Sequence, residues 1–308
     1  MTTSKMKVLI VGNCSTRAFT EFFKKCFPNW ETRAVLLVQA NDWVEEQNEA
    51  FLSYVESADV FVGLTDRECI KSIVPTSALN VFIPSFDFFG YLPDCIFLEG
   101  ITSPLGLGVI HSRIAAAAYL AGRNAEETVK LFNKEHFNLL GYFDEFDRSR
   151  DKLLSKFNAH DIDLSEKFES WTQHGNFLYT VNHPHTSIFF DIVHIAMKNH
   201  FPEMLNSKDV ESARLTVENY MADGIIWPMY PEIAEYHGLV TTPDNWRTTQ
   251  IHEQCKHMNL EQFIHSSFEL YKGVNKFTES TISKLGGMNE IRRSAGYDSL
   301  DANVIQQA

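Results

Sequence analysis

Residues 7–17 read Lys-Val-Leu-Ile-Val-Gly-Asn-Cys-Ser-Thr-Arg, and this stretch decides how the N-terminal part of the chain folds. Residues 7–11 are almost all aliphatic and β-branched, which predicts a buried strand. Gly12 and Asn13 then interrupt the apolar run, and both residue types tolerate the dihedral angles of a tight turn. The chain is therefore expected to begin with a buried strand that ends in a turn.

A helix is expected directly after this turn. Ser15 and Thr16 are good N-cap residues, and residues 18–27 have the apolar spacing of a helix. Cys14 then lies where backbone N–H groups and the positive end of the helix dipole converge. Such a position stabilises anions, lowers the pKa of a thiol and can hold an oxyanion, although a purely structural strand-to-helix turn shows the same pattern.

The composition is that of a soluble globular protein. The chain has 308 residues, of which 44% are hydrophobic and 22% charged, enough for one large domain or two moderate ones. Its formal net charge of -13 argues against a broad nucleic-acid-binding surface, which needs clustered Lys and Arg.

Cysteine usage and the N-terminus both suggest a cytoplasmic protein. The five cysteines are an odd number without CxxC spacing, which is typical of reduced thiols and not of a disulfide framework or a zinc site. The first apolar run is too short for a signal peptide or a membrane span. The cysteines are Cys14, Cys26, Cys69, Cys95 and Cys255.

Strand and helix patterns alternate over the first 85 residues. Further strands are predicted at 33–38, 58–64 and 80–85, with helical spacing over 43–55. This alternation indicates an α/β fold, a parallel sheet flanked by helices in a three-layer sandwich, to which a mainly helical region is appended. In such sheets ligands bind beyond the carboxyl ends of the strands. The segments expected at one crevice are 12–17, 63–67, 85–91 and the one that follows 95–98.

Two candidate ligand-contacting features follow the first strands. The loop 85–94 is rich in aromatic residues, including Phe89 and Tyr91, and is either one wall of a ligand cleft or a hydrophobic plug over the sheet. His111 follows a Gly-rich loop and begins the helical run 114–122, where it is either a catalytic base or a helix-capping residue.

The domain organisation is expected to have three parts. Residues 1–125 form the α/β part with the Gly12-Asn13-Cys14 turn, and residues 126–285 form a helical region with a returning strand at 177–181. The polar residues 286–308 are expected to be a tail, at least partly disordered.

His183 is the strongest candidate for a general base. It follows the predicted strand 177–181 and precedes Pro184, so it is expected to face the same crevice as Cys14. A cysteine nucleophile needs a neighbouring base and an oxyanion site, which His183 and the turn could supply. The alternative is a turn histidine whose ring caps the following helix.

Other chemistries remain open around His183. His183, His185, Asp191 and His194 resemble a metal-ligand cluster, but neither an HExxH motif nor a cysteine pair accompanies them. Asp191 and His194 also have the DxxH spacing of a serine-hydrolase triad, within an apolar helix where they could be an ordinary i,i+3 pair. We therefore expect no metal and prefer His183 as the base.

The Cys14 turn also has features of an anion site. It lacks the GxGxxG and P-loop patterns, yet its N–H groups together with Arg17 could hold a carbonyl, phosphate or carboxylate.

Six short motifs along residues 6–240 resemble the WcbI family of polysaccharide biosynthesis proteins. Any one of them is weak, but their order makes the resemblance fairly specific. The motifs are Val8-Leu9-Ile10-Val11-Gly12-Asn13-Cys14, Ile83-Pro84 with Phe89-Gly90-Tyr91-Leu92-Pro93-Asp94, His111-Ser112, Leu140-Gly141-Tyr142, Asn182-His183-Pro184, and Trp227-Pro228-Met229-Tyr230-Pro231-Glu232-Ile233-Ala234.

The resemblance implies an α/β protein distantly similar to SGNH hydrolases that binds coenzyme A or acetyl-CoA and O-acetylates a sugar of a capsular polysaccharide or its precursor. Alignment with the GDS block of SGNH enzymes puts Cys14 at the nucleophile position and Asn13 at the Asp. At the Asp of the DxxH block this chain has Thr180, so either the orienting acid comes from elsewhere in the chain or His183 works without one. The family's usual Gln after GNC is Ser15 here.

The resemblance further implies two possible routes for transfer of the acetyl group to the sugar. In one, Cys14 forms an acyl-enzyme and His183 activates the sugar hydroxyl; in the other, His183 or His111 activates the hydroxyl for direct attack on the thioester. The N–H groups of the turn hold the oxyanion in both. The residues expected to contact coenzyme A are Asn13, Ser15, Arg17, Phe89, Tyr91, Ser112 and Arg113.

Two other function classes stay open. The chain could be an SGNH-like carbohydrate esterase, or a non-catalytic protein that binds coenzyme A or a nucleotide in polysaccharide assembly. The expected partners are a CoA thioester, a saccharide acceptor and other polysaccharide-assembly proteins, without nucleic acid or a membrane span.

Overall fold

The structure is a computed structural model that describes residues 5–65, 73–106, 108–202, 205, 207–240, 245–249, 256–274 and 279–297. Parts of three predictions lie outside these residues. They are Asp66 and Arg67 of the segment 63–67, the cysteines Cys69 and Cys255, and residues 298–308 of the predicted tail.

A four-stranded parallel sheet organises the N-terminal part, in the strand order β2-β1-β3-β4. In its register, Ile10 of β1 lies opposite Ala34 of β2 and Val62 of β3. β1 lies inside the sheet, which explains why its apolar run is buried nearly throughout. The α/β prediction is confirmed. The strands are β1 (Lys7–Gly12), β2 (Glu31–Leu36), β3 (Val60–Leu64) and β4 (Leu79–Ile83).

Helices cover both faces of this sheet. Leu9 and Val11 belong to a core cluster with Phe51 of α3, while Val8 and Ile10 point to the opposite face because side chains alternate along a strand. The predicted helix 43–55 is two helices, since Asn48 caps α3 by accepting a hydrogen bond from the Phe51 N–H. The helices are α1 (Thr16–Cys26), α2 (Leu37–Glu45) and α3 (Glu49–Glu56).

The predicted strand at 95–98 does not join the parallel sheet. β5 (Cys95–Phe97) pairs antiparallel with β6 (Ile110–Ser112) in a separate two-stranded sheet. The prediction that the segment after 95–98 extends from the same sheet edge as Cys14 is therefore wrong. The physical reason is the connection 84–94, which contains no helix and is too short for the crossover that a parallel neighbour needs.

The rest of the described chain is mainly helical, with short strands between the helices. No helix of the described residues is long and apolar enough to cross a membrane. The elements are α4 (Arg113–Leu120), α5 (Ala125–Val129), α6 (Lys134–Leu139), a 3-10 helix (Tyr142–Asp144), α7 (Glu145–Asn158), α8 (Ser165–Gln173), β7 (Leu178–Thr180), β8 (His183–Pro184), α9 (Thr186–Lys198), α10 (Ser207–Leu215), a 3-10 helix (Tyr220–Asp223), α11 (Pro231–Tyr236), β9 (Trp246–Arg247), β10 (His257–Met258), α12 (Leu260–Gly273), α13 (Glu279–Lys284) and α14 (Met288–Ser294).

The chain divides into two compact units that interleave along the sequence, unlike the linear ranges 1–125, 126–285 and 286–308. The sheet unit holds the parallel sheet, with α9 packed on α1. The second unit holds β5, β6 and the helices α4 and α12. The sheet unit lies within Met1–Phe86, Lys152–His174 and Pro184–Tyr220, and the second unit within Asp87–Asp151, Gly175–His183 and Met221–Ala308.

The described part of the predicted tail is folded. Residues 288–294 form α14, in which Ile291 is completely buried, and Ala295 just beyond it is also buried. The ring of His136 contacts the carbonyl oxygen of Ser294 at 3.0 Å. Residues 286–297 of the predicted tail are therefore folded, because a few apolar residues in a polar sequence suffice to bury one helix face. The expected disorder of the last dozen residues stays a prediction, since nearly all of them lie outside the described residues.

Candidate functional site

The Cys14 turn is held by the side chain of Asn13. Its Oδ1 accepts hydrogen bonds from the backbone N–H of Ser15 at 3.0 Å and from the Ser15 hydroxyl at 2.9 Å. The Asn13 carbonyl accepts from the N–H and the hydroxyl of Thr16. A side chain at Gly12 would crowd Thr16 at 3.2 Å. These contacts define an Asx turn that places Cys14 at its tip.

Cys14 is exposed at this tip, where sequence reasoning placed it. Although Cys14 is open to solvent on one side, the surrounding protein removes water from the sulfur, and this desolvation raises the pKa of the thiol to about 11. The backbone N–H groups of Cys14 and Ser15 act to lower this pKa. The predicted lowering of this pKa is therefore not what the structure gives. The N–H groups do favour the thiolate, but the cost of removing its charge from water outweighs them.

Arg17 and Tyr220 flank the same turn. The Arg17 guanidinium lies over the Tyr220 ring, with its Cζ 4.1 Å from the ring centroid, and approaches Glu218 at 3.7 Å. Tyr220 is buried, and its pKa is raised by desolvation and, to a smaller extent, by the charge of Cys14. Tyr220 was missed by sequence reasoning because a lone Tyr in a polar stretch carries no motif.

His183 lies in the second unit and Cys14 in the sheet unit. The His183 side chain is half-buried, and desolvation lowers the pKa of its imidazole. A neutral ring at neutral pH can accept a proton, which suits a general base. Thr180 occupies the position of the Asp in the DxxH block, and the catalytic role of His183 remains a prediction.

His111 is completely buried in the second unit, and both of its ring nitrogens have partners. Nδ1 lies 3.1 Å from the Tyr271 hydroxyl, and Nε2 lies 3.1 Å from the carbonyl oxygen of Ile101. Desolvation lowers the pKa of the ring. This environment favours a structural role, in which His111 ties β6 to α12.

Asp94 is the centre of a buried polar network in the second unit. Its Oδ1 accepts hydrogen bonds from the Tyr142 hydroxyl at 2.9 Å and the Ile114 N–H at 3.0 Å, and its Oδ2 accepts from the Tyr230 hydroxyl at 2.7 Å. The Ser112 hydroxyl also bonds to this carboxyl. Complete burial raises the pKa of Asp94, while these donors act to lower it.

Ser112, which was predicted to contact coenzyme A, belongs to the Asp94 network. Ser112 is completely buried and caps α4 by accepting a hydrogen bond from the Ala115 N–H at 3.0 Å. Its hydroxyl is thus occupied on both sides, by the N–H of α4 and by Asp94.

Phe89 and Arg113, two of the residues predicted to contact coenzyme A, lie close together in the second unit. Both line a cavity of about 410 Å³ in the second unit, which Lys284 and Glu145 also line. The Arg113 guanidinium donates to the Leu285 carbonyl at 3.3 Å, and Lys284 lies 3.3 Å from Glu99. Tyr91, by contrast, is buried against Phe88, Phe146 and Phe177, which favours a role in the core.

Asp191, which sequence analysis considered for a metal site and for a DxxH pair, has structural partners on α8 and α10. Asp191 is buried, and its carboxylate is bound by Trp171 Nε1 at 2.9 Å, Arg214 Nε at 2.8 Å and Lys167 Nζ at 3.2 Å. Among the residues that the structure describes, no three His, Cys, Asp or Glu side chains form a group that could hold a metal. Asp191 therefore joins α8, α9 and α10 through its charge.

Comparison with known proteins assigns the chain to a family. The sequence profile of the family described as "Polysaccharide biosynthesis enzyme WcbI" matches residues 7–200. No curated protein matches the chain. A solved structure of WcbI, described as a novel polysaccharide biosynthesis enzyme, is similar with a TM-score of 0.68 and 15% identity, covering 95% of this chain and 99% of that one. Its description specifies a native protein without the disulfide bond between coenzyme A and its Cys14.

Proposed function

Since the chain belongs to the WcbI family of polysaccharide biosynthesis enzymes, we propose that it is a coenzyme A-dependent O-acetyltransferase. The proposed donor is acetyl-CoA, and the acceptor is a hydroxyl of a capsular polysaccharide sugar or its precursor. Acetyl-CoA is a cytoplasmic metabolite, so the proposal places the reaction in the cytoplasm.

The exposed Cys14 thiol at the tip of the Asn13 turn is the observation that carries the proposal. A thioester carbonyl beside this turn would lie near backbone N–H groups, which can stabilise the negative oxygen of a tetrahedral intermediate. The solved WcbI structure is described by reference to a bond between coenzyme A and a cysteine, which supports a CoA sulfur beside Cys14 here.

In the covalent route, Cys14 attacks the acetyl carbonyl, the new bond from carbon to Sγ forms, and the bond to the CoA sulfur breaks. A pKa of about 11 leaves only roughly one thiol in ten thousand ionised at pH 7. The proton must therefore leave Sγ as the tetrahedral intermediate forms and breaks down, and it ends on the departing CoA sulfur, which leaves as the neutral thiol. His183, neutral because burial lowers its pKa, then accepts the sugar hydroxyl proton as that oxygen attacks the acyl group. The bond from the acyl carbon to Sγ breaks, and the proton passes from His183 to the Cys14 sulfur, which restores the thiol.

In the direct route, His183 takes the proton from the sugar hydroxyl, and this oxygen attacks acetyl-CoA itself. The carbonyl carbon gains the sugar oxygen and loses the CoA sulfur, which leaves as a thiolate and is then protonated. The pKa of Cys14, which is raised in the ligand-free protein, favours the direct route because this route needs no thiolate. Cys14 then has only to donate its backbone N–H to the oxyanion.

Binding of coenzyme A is proposed at two groups of residues. Asn13, Ser15 and Arg17 form the turn, where the exposed Arg17 guanidinium offers a positive partner. The cavity lined by Phe89 and Arg113 combines an aromatic ring with the cations of Arg113 and Lys284, which can bind an anionic phosphate. Two carboxylates offset part of this positive charge, namely Glu145 in the lining and Glu99 beside Lys284.

One assay tests this function against its alternatives. Purified protein is incubated with acetyl-CoA, with and without a saccharide acceptor, while released thiol is measured; a chromogenic ester is tested in parallel. Thiol release that requires the acceptor supports the transferase. Ester hydrolysis without coenzyme A would instead indicate an SGNH-like esterase, and thermal stabilisation by coenzyme A without turnover would indicate a non-catalytic binding protein.

A further inference from the structure

Tyr220, whose ring lies under the Arg17 guanidinium, has a buried hydroxyl. The residue is 8% exposed, and its Oη is fully buried without a hydrogen-bond partner among the described residues. A buried polar group that lacks a partner costs stability, so such groups are rare in folded proteins. This hydroxyl therefore calls for an explanation other than packing.

The surroundings of Tyr220 connect it to the reactive end of α1. Arg17, three residues after Cys14, covers the ring face at 4.1 Å, and Glu218 approaches this guanidinium at 3.7 Å. The charges that act on the phenol are those of Arg17, Cys14 and Glu21. The Tyr220 ring thus packs under the guanidinium of a residue in the first turn of α1, the helix that directly follows the Cys14 turn.

We infer that the Tyr220 hydroxyl is a hydrogen-bond donor to the negative charge that forms at the Cys14 turn, either the Cys14 thiolate or the oxyanion of a bound thioester. In the ligand-free protein the thiol is protonated and is a weak acceptor, so the hydroxyl gains little from it. Ionisation or thioester attack creates a strong acceptor, and a hydrogen bond to a charged group is stronger than one between neutral groups. The role of the Tyr220 hydroxyl in acetyl transfer rests on the proposed function, whereas its role in stabilising the Cys14 thiolate does not.

Tyr220→Phe is a selective test because it keeps the ring over which Arg17 lies and removes only the unpartnered hydroxyl. The fold should be unaffected or slightly stabilised, since no existing hydrogen bond is lost. The measured quantity is the rate at which iodoacetamide alkylates Cys14 at pH 9, followed by peptide mass spectrometry. We expect the rate to fall about tenfold, because the thiolate fraction falls with each unit by which the pKa rises.

The matched control is Tyr54→Phe in the same unit, which removes a hydroxyl that donates to the Val8 carbonyl at 3.4 Å. It should leave alkylation of Cys14 unchanged. Incorporation of a fluorotyrosine at position 220 provides the opposite change, because fluorination makes the phenol a stronger donor; it should speed alkylation. This second variant also decides the question if Tyr220→Phe fails to fold.

The two proposals fail in different ways. If the unaltered protein transfers no acetyl group, the proposed function is wrong, but the alkylation rates still report on Tyr220. If Tyr220→Phe and the fluorotyrosine variant both alkylate at the rate of the unaltered protein, and any acetyl transfer is likewise unchanged, Tyr220 does not act on the charge at Cys14 and the inference is overturned.

Discussion

The hydroxyl of Tyr230 donates a hydrogen bond of 2.7 Å to Oδ2 of Asp94, across 136 positions of sequence. Tyr142 and Ser112 reach the same carboxyl. These four residues come from four of the six motifs that resemble the WcbI family. Four of the six motifs thus each contribute one residue to a buried polar network in the second unit. The candidate nucleophile Cys14 belongs to the first motif, which lies in the sheet unit.

Removing one donor of this network should destabilise the protein. Tyr230→Phe leaves a fully buried carboxyl with one hydrogen bond fewer, which should cost about 1–3 kcal/mol of unfolding free energy. Burial already raises the pKa of Asp94, and loss of a donor raises it further. In the unfolded chain Asp94 ionises near its usual pKa, so the stability deficit should grow as the pH rises through the folded pKa. Urea unfolding at pH 5 and pH 8 measures this.

Tyr236→Phe is the control for that comparison, because Tyr236 is 56% exposed in the same unit. It should change the unfolding free energy by less than about 0.5 kcal/mol at either pH. A deficit for Tyr230→Phe that is equal at both pH values would show that Asp94 does not change its ionisation in this range.

Loss of the Cys14 thiol should abolish acetyl transfer if the covalent route operates. We expect Cys14→Ala to lower the rate at least ~100-fold, because no nucleophile remains at the turn, while the melting temperature stays the same since the side chain is exposed. Cys26→Ala, which removes a half-buried thiol at the end of α1, is the control. A Cys14→Ala enzyme that keeps its rate within about tenfold would refute the covalent route and leave direct attack.

The ionisation of Cys14 can be followed without any substrate. Because burial raises its pKa to about 11, the thiolate fraction should increase about tenfold per pH unit from pH 7 to pH 10. Site-resolved alkylation by iodoacetamide should follow this slope, with the buried Cys95 as an unreactive internal reference. A rate that already levels off near pH 7 would mean that the turn stabilises the thiolate strongly.

Cations of the Phe89 cavity should contribute to coenzyme A affinity if phosphate binds there. Lys284→Gln removes one positive charge and should weaken binding about three- to tenfold, with the loss diminishing at high salt because screening weakens charge attraction. Isothermal titration calorimetry at two salt concentrations measures this. Lys272→Gln is the control, since Lys272 is exposed and paired with Glu269 at 2.6 Å. Equal affinities for both variants would exclude this cavity as a phosphate site.

Neutralising Asp191 should affect stability and not chemistry. Asp191→Asn leaves Arg214 and Lys167 facing an uncharged group in a buried position, which should cost about 3 kcal/mol of unfolding free energy. Glu169→Gln on the exposed side of α8 is the control. The acetyl-transfer rate of the folded fraction should be unchanged. A loss of rate without a loss of stability would support the alternative in which Asp191 and His194 are the acid and the base of a catalytic triad.

Local signals in the sequence were sufficient for the first strand and helix. The apolar run of β1, the turn at Gly12 and Asn13, and the helix after Ser15 all depend on neighbours in sequence, and the structure places them as predicted. The capping role of Asn124 was predictable for the same reason, since its side chain bonds to Glu127 three residues away.

Features that depend on distant residues could not be predicted in this way. The pKa of Cys14 is set by the protein around the sulfur, and the ring of Tyr220 reaches Arg17 only after the chain has folded back. The burial of His111 and its two ring contacts likewise depend on Tyr271 and Ile101. The sequence pattern around His111 is compatible with either role, and only its partners distinguish them.

Interleaving of the two units has a consequence for biosynthesis. The Phe22 ring of α1 packs on Phe190 of α9 at 4.9 Å, yet residues 27–185 separate the two helices. A ribosome needs roughly 10–30 s to add that length, so the strands of the sheet leave the exit tunnel well before the helix that covers α1. During this interval the phenylalanines of α1 are uncovered, and the nascent chain presents a hydrophobic surface to which a chaperone can bind.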